Sequence, residues 1–238
     1  MCLLRRSLVK VIATLGPSSS SSSVIAQMAR AGADAFRINM SHGDQSSWES
    51  LVSSFVEAEG VVEQNLGLIA DLEGPRLRVG NAEPVRVQPG STITFAYSGG
   101  DVIVPYREFF EVLSEGDVVL IGDGKVSLLT ESVEGLSARL RVIQGDVIEP
   151  RKGVVISGKE PELPLITAKD KACLEYIAKR PFSHVMVSYA KSPEQIELIK
   201  SILRDYGRQD VKVLAKIETP SGVRRVMEIA QVADGIVV

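Results

Sequence analysis

The chain has 238 residues, 45% of them hydrophobic and 24% charged, with a formal net charge of −3. That balance supports one or two globular domains with a sizeable core and excludes a disordered or collagen-like chain. It leaves no electrostatic footprint for nucleic acid, and no apolar run approaches the roughly 18 residues of a membrane span, so neither is expected as a partner.

In chain order, Leu8–Leu15 is β-branched and apolar and ends at Gly16-Pro17, a strand followed by a turn. Ser18 to Ser23 follow, and the last one or two of these serines are expected to cap a helix carrying Val24, Ile25, Met28 and Ala29. Ala35–Asn39 reads as the second strand. Ser46–Glu59 reads as a helix with Trp48, Leu51, Val52, Phe55 and Val56 on one face. Leu66–Asp71 reads as the third strand, closed by Gly74-Pro75. From residue 80 to about 162 the pattern changes to short Val/Ile/Leu/Thr runs between glycine turns, at 91–97, 117–121, 125–131, 136–142 and 146–148, with little helical period. This is the signature of a small antiparallel β-domain. Alternation then resumes: helix 168–179, strand 184–188, helix 192–206, strand 211–217, helix 222–230 after Pro220-Ser221, and a strand from Gly235. Cys2 and Cys173 make neither a metal motif nor a disulfide framework, and Arg5 and Arg6 precede no signal-peptide core. The expected location is the reducing cytoplasm.

Strand starts near 8, 35, 66, 184, 211 and 235 are spaced like βα units, interrupted once. Such units build a parallel sheet, doubly wound or closed into a barrel. The expected fold is α/β: an incomplete (β/α)8 TIM-type barrel of six βα units with an inserted small antiparallel β-barrel. Its expected domains are residues 1–80 and 163–238 for the barrel and 81–162 for the insert.

In βα architectures the chemistry lies beyond the C-terminal ends of the strands. Those positions hold Arg37, Asn39, Ser41 and His42, then Asp71, then Ser188, then Lys216 and Glu218. Singly, each has an ordinary role as a rim charge or turn residue. Lys216 and Glu218, however, share one face of a strand by its period of two, and an inward Lys–Glu pair is costly unless a metal or an anionic substrate uses it. Glu218 is a hard oxygen ligand of the kind Mg2+ takes beside substrate oxygens. Lys216 and Arg37 bring the positive charge a migrating phosphoryl group requires. Asn39, Ser41 and Asp71 offer oxygens for a second cation. The spacing alone leads to phosphoryl transfer or a metal-assisted enol reaction.

At these residues the sequence resembles the pyruvate kinase family. The likeness runs through Ala13–Ser18, Ala33–Gly43, Asp71–Arg78, Lys216-Ile217-Glu218 and Asp234–Val238, with the insert in the matching place. The resemblance implies transfer of the phosphoryl group of phosphoenolpyruvate to ADP, giving pyruvate and ATP in glycolysis, by a homo-oligomer that is a tetramer in the family. By motif position, Arg37 would bind the phosphate, Lys216 would stabilise the transferring group, and Glu218 would be one of two carboxylates on Mg2+ or Mn2+. Asn39, Ser41 and Asp71 match a monovalent-cation site. Asn39, Ser41, His42, Arg78 and Lys152 match nucleotide-binding positions, and the insert matches a lid.

Three departures qualify the resemblance. Val238 precedes the family's Ala-Arg-Gly-Asp-Leu-Gly motif, so activity of this chain alone is expected to be impaired. Leu72, Arg76 and Val79 replace residues common where K+ is required, so Arg76 is expected to substitute for that ion. Gly122 stands where a lid-domain acid is usual. Two other readings remain open: a barrel aldolase or lyase acting on pyruvate, with Lys216 as a Schiff base or Glu218 as a metal ligand, and a non-catalytic partner of a full-length enzyme.

Overall fold

A computed structural model describes residues 9–62 and 64–238, so Cys2, Arg5, Arg6 and Leu8 lie outside the described residues. Two compact units emerge, one formed by the chain up to Gly74 together with Ile166–Val238, the other by Pro75–Leu165.

The first unit opens with β1 (Ile12–Thr14), α1 (Ser22–Arg30), β2 (Ala35–Asn39), α2 (Gln45–Val61) and β3 (Gly67–Asp71). The serine run divides its work. Pro17–Ser19 form a single 3-10 turn, and the cap of α1 is Ser21, whose hydroxyl accepts the Val24 N–H at 3.4 Å. The cap therefore falls earlier than expected, with Ser22 and Ser23 already inside the helix. In α2, Asp44 and Ser47 form a capping box. Trp48, Val52 and Phe55 are buried, but Val56 is 48% exposed, because one further residue turns the side chain about 100° off the buried stripe.

The second unit carries β4 (Val85–Arg86), β5 (Thr92–Ala96), β6 (Val102–Ile103), α3 (Arg107–Val112), β7 (Val118–Ile121), β8 (Val126–Glu134), β9 (Ser137–Gln144), β10 (Val147–Ile148) and β11 (Val154–Ile156). Its six-stranded sheet runs β11-β7-β8-β9-β5-β6, antiparallel except for β5 against β6, and β10 pairs separately with β4. Helix α3 is absent from the sequence expectation. It forms because adjacent Phe109 and Phe110 both find places in this unit's core. Leu77, Val79 and Leu163 pack into that same core, which accounts for where the unit begins and ends.

The first unit resumes with α4 (Ala168–Ala178), β12 (His184–Val187), α5 (Pro193–Asp205), β13 (Lys212–Lys216), α6 (Pro220–Arg224), α7 (Val226–Val232) and β14 (Gly235–Val237). The single helix expected over 222–230 is two, interrupted at Arg225 with φ −107° and ψ 15°. The strands form one all-parallel sheet in the order β1-β2-β3-β12-β13-β14, so β3 and β12 are neighbours although the whole second unit lies between them in sequence. Along β2, Phe36 and Ile38 are buried in the helix-covered core while Arg37 and Asn39 alternate onto the opposite face. Cys173 lies in that core, where burial pushes its thiol up to about 11. No helix among the described residues is long and apolar enough to cross a membrane.

One buried carboxylate holds both points where the chain leaves and re-enters this unit. Asp170, 2% exposed, accepts the Gly74 N–H on Oδ1 at 3.1 Å and, on Oδ2, the Thr167 N–H at 3.1 Å and the Thr167 hydroxyl at 2.6 Å. It thereby completes the capping box of α4. Asp170→Ala removes that box and leaves the Gly74 donor without its partner, so unfolding free energy falls by about 2–3 kcal/mol in urea titrations.

Candidate functional site

The sheet face opposite the helices becomes polar at the C-terminal ends of the strands. Asn39 on β2 stands in register with Asp71 on β3, and Thr14 on β1 with Arg37. Asp71 is the centre, with its side chain 3% exposed. Arg37 donates through Nε at 2.8 Å and lies 2.7 Å away through Nη2, both at Oδ2. Lys216 Nζ lies 3.3 Å from Oδ1 and 3.5 Å from Oδ2. The remaining reach of Arg37 goes to the Thr14 hydroxyl, through Nη1 at 3.0 Å.

Glu218 continues the cluster. Its Oε1 is 3.3 Å from Lys216 Nζ, and its Oε2 accepts the Tyr189 N–H at 3.0 Å. Tyr189 has φ 55°, in the left-handed region, where a bulky residue costs about 1–3 kcal/mol. The turn is retained because the next residue, Ala190, is tied to β13 by its N–H to the Lys216 carbonyl at 3.1 Å. Lys216 and Glu218 do share one side of the strand, as their spacing requires.

Asn39 and Ser41 meet each other: Asn39 Oδ1 accepts the Ser41 N–H at 3.0 Å and the Ser41 hydroxyl at 2.7 Å. His42 is exposed, and its carbonyl takes the Trp48 Nε1–H at 2.7 Å. Lys169, which the sequence reading passed over, reaches the Ser41 carbonyl at 3.3 Å and Glu73 at 2.6 Å from the first turn of α4. Thr14 was likewise passed over, and its signal was its strand-end position one unit before Arg37.

Arg76, Arg78 and Lys152 belong to the second unit. There Arg78 donates to the Arg151 carbonyl at 2.8 Å, Arg76 pairs with Asp123 at 3.4 Å, and the Lys152 stem lies over Gly122. The Gly122-Asp123-Gly124 turn has three successive positive φ values, 61°, 60° and 84°.

Arg37 and Lys216 balance Asp71 and Glu218 in charge, so a divalent cation added at Glu218 would turn this face positive. The donor set fits such an ion in one way. Among the described residues no three acidic, His or Cys side chains gather for a metal. Glu218 is thus a single hard oxygen ligand of the kind Mg2+ combines with substrate oxygens and water.

A polar face of this kind, at the C-terminal ends of parallel strands, lies where βα-barrel proteins place their chemistry. The family profile "Pyruvate kinase, barrel domain" matches residues 5–238, and the chain belongs to the pyruvate kinase family. It is 49% identical over 230 residues to the pyruvate kinase of Aeropyrum pernix, covering 97% of this chain and 50% of that protein. To the pyruvate kinase of Clostridium perfringens it is 30% identical over 237 residues, covering 96% and 50%. The crystal structure of pyruvate kinase from Pyrobaculum aerophilum superimposes with a TM-score of 0.88 at 29% identity, over 98% of this chain and 53% of that one. The chain therefore spans about half the length of the curated relatives it matches, and its parallel sheet is part of a TIM-type barrel.

Asp71→Asn keeps the shape of the central side chain but leaves the Arg37 and Lys216 cations without its charge, Lys216 retaining Glu218 alone. We expect a loss of about 3 kcal/mol in urea unfolding, partly recovered by adding Arg37→Gln, which removes one of those cations.

Proposed function

We propose that this chain provides the phosphoryl-transfer face of a pyruvate kinase, which converts phosphoenolpyruvate, ADP and a proton to pyruvate and ATP. The observation that carries this reading is the convergence of Arg37 and Lys216 on buried Asp71, with Glu218 beside them, at the strand ends of a pyruvate kinase barrel domain. Arg37, whose side chain is 29% exposed, grips the substrate phosphate. Lys216 offsets the negative charge that spreads over the phosphoryl oxygens in transit. A divalent cation, Mg2+ or Mn2+, would be held by Glu218 and would supply further positive charge there. The family's need for a divalent metal supports that assignment. Asn39, Ser41, His42, Arg78 and Lys152 take the nucleotide. The second unit, read as a closed small barrel, acts as the lid. A cytoplasmic homotetramer completes the reading.

The Schiff-base alternative requires an amine free to attack a carbonyl. Lys216 Nζ is instead engaged, at 2.9 Å from the Ser188 hydroxyl and 3.3 Å from both Asp71 and Glu218. The non-catalytic alternative gains no support from the cluster, whose charged members are all in place.

Both tests use this chain joined to the C-terminal half of the Aeropyrum pernix relative. Lys216→Met should lower kcat by at least 10³ with little change in the KM for phosphoenolpyruvate, because its charge is needed most in transit. A coupled assay giving an unchanged kcat and a raised KM would make Lys216 a binding residue only.

Potassium provides the second test. Asn39, Ser41 and Asp71 form the matching site, but Asp71 already faces the fixed cations of Arg37 and Lys216, and Leu72 and Val79 are buried apolar groups that offer no side-chain oxygen. This predicts equal rates in K+, Na+ or tetramethylammonium at constant ionic strength. Strong K+ activation would reverse that assignment.

A further inference from the structure

Ser188 directly follows β12 and is 4% exposed. Its hydroxyl has one proton and two acceptors in reach, the Leu72 carbonyl at 2.7 Å and Asp71 Oδ1 at 3.3 Å. The shorter contact takes the proton. A lone pair is then left facing Lys216 Nζ at 2.9 Å. That is shorter than the distances from Lys216 to Asp71, 3.3 and 3.5 Å, and to Glu218, 3.3 Å. A relaxed ammonium–carboxylate hydrogen bond closes to about 2.7–2.9 Å. The best-formed hydrogen bond of this ammonium is therefore to a neutral hydroxyl, and it stands off both carboxylates.

We propose that Ser188 is a positioning residue that suspends the Lys216 ammonium between Asp71 and Glu218 and keeps it from collapsing onto either. The inference rests on the reading of Lys216 as the group that stabilises the transferring phosphoryl. A lysine is a point charge on a flexible four-carbon stem, and nothing in its covalent structure sets where that charge stands. A tight pair with Asp71 would spend the charge on a buried carboxylate, and a displacement of about 1 Å at a reacting centre costs on the order of 10² in rate.

The hydroxyl is itself held in place. Gly74, with φ 71°, packs so closely on Ser188 that a Cβ there would come within 2.7 Å of the Ser188 carbonyl. The left-handed Tyr189 fixes the chain on the other side. The donation to Leu72 then points the lone pair at Lys216 and leaves the hydroxyl little freedom to turn away.

The test needs neither substrate nor turnover. In the 238-residue protein, brief acylation with acetic anhydride is followed residue by residue by peptide mass spectrometry, with exposed Lys171 as internal reference. Ser188→Ala, by letting the ammonium close onto a carboxylate, should lower Lys216 acylation relative to Lys171 about fivefold or more, with an unchanged circular dichroism spectrum. Ser188→Thr, which restores the hydroxyl, should return the ratio toward that of the unsubstituted protein. An unchanged ratio in folded Ser188→Ala overturns the proposal.

If Ser188→Ala does not fold, the unsubstituted protein decides. Its Lys216 ammonium, assigned by loss of the signal in Lys216→Met, should give a slowly exchanging 1H–15N signal with a nuclear Overhauser contact to the Ser188 β-protons. Absence of that contact overturns the proposal equally. Failure of the kinase reading would appear separately, as absent phosphoenolpyruvate binding in the presence of Mn2+, and would leave these readouts unaffected.

Discussion

A carboxylate buried at the end of a parallel strand cannot stand alone. Asp71 is shielded from water, and its burial is offset by Arg37 from one neighbouring strand and Lys216 from further along the sheet, which bring their charges to it. This requirement ties together strands that are distant in sequence. It sets which residues face the open side of the sheet and concentrates cationic groups where a phosphate would arrive. Packing of Phe36, Ile38 and their neighbours under the helices determines the register. The ion cluster determines what that register is used for.

Much of this was legible in the sequence because two periodicities met at one place. The period of two along β2 placed Arg37 and Asn39 opposite Phe36 and Ile38. The recurrence of βα units placed Asp71, Ser188 and Lys216 at equivalent strand ends. Lys216-Ile217-Glu218 was readable for the same reason. What spacing could not convey was the direction of individual hydrogen bonds: Ser188 looked like one more polar strand-end residue until its neighbours were known. Thr14 and Lys169 act through long-range contacts that no local pattern encodes.

The misplaced elements have local causes. The serine run has several equivalent capping hydroxyls, and only the preceding 3-10 turn selects Ser21. Helix α3 is six residues long and owes its existence to Phe109 and Phe110 meeting the second unit's core, a tertiary effect that overrides a weak helical period. Strands of two or three residues, such as β4, β6 and β11, are too short to show alternation at all. The break at Arg225 falls within a continuous amphipathic pattern.

The Asp170 carboxylate grips Gly74 and Thr167 at once, so the two chain crossings leave the barrel from a single anchor. For the barrel, the 91 residues of Pro75–Leu165 are an insertion between two ends that are held together without them. The loop-closure cost of so long an insertion grows only logarithmically with its length. A barrel built this way could have acquired its second unit whole, or exchanged it for another of different size, and the strands on either side would keep their places.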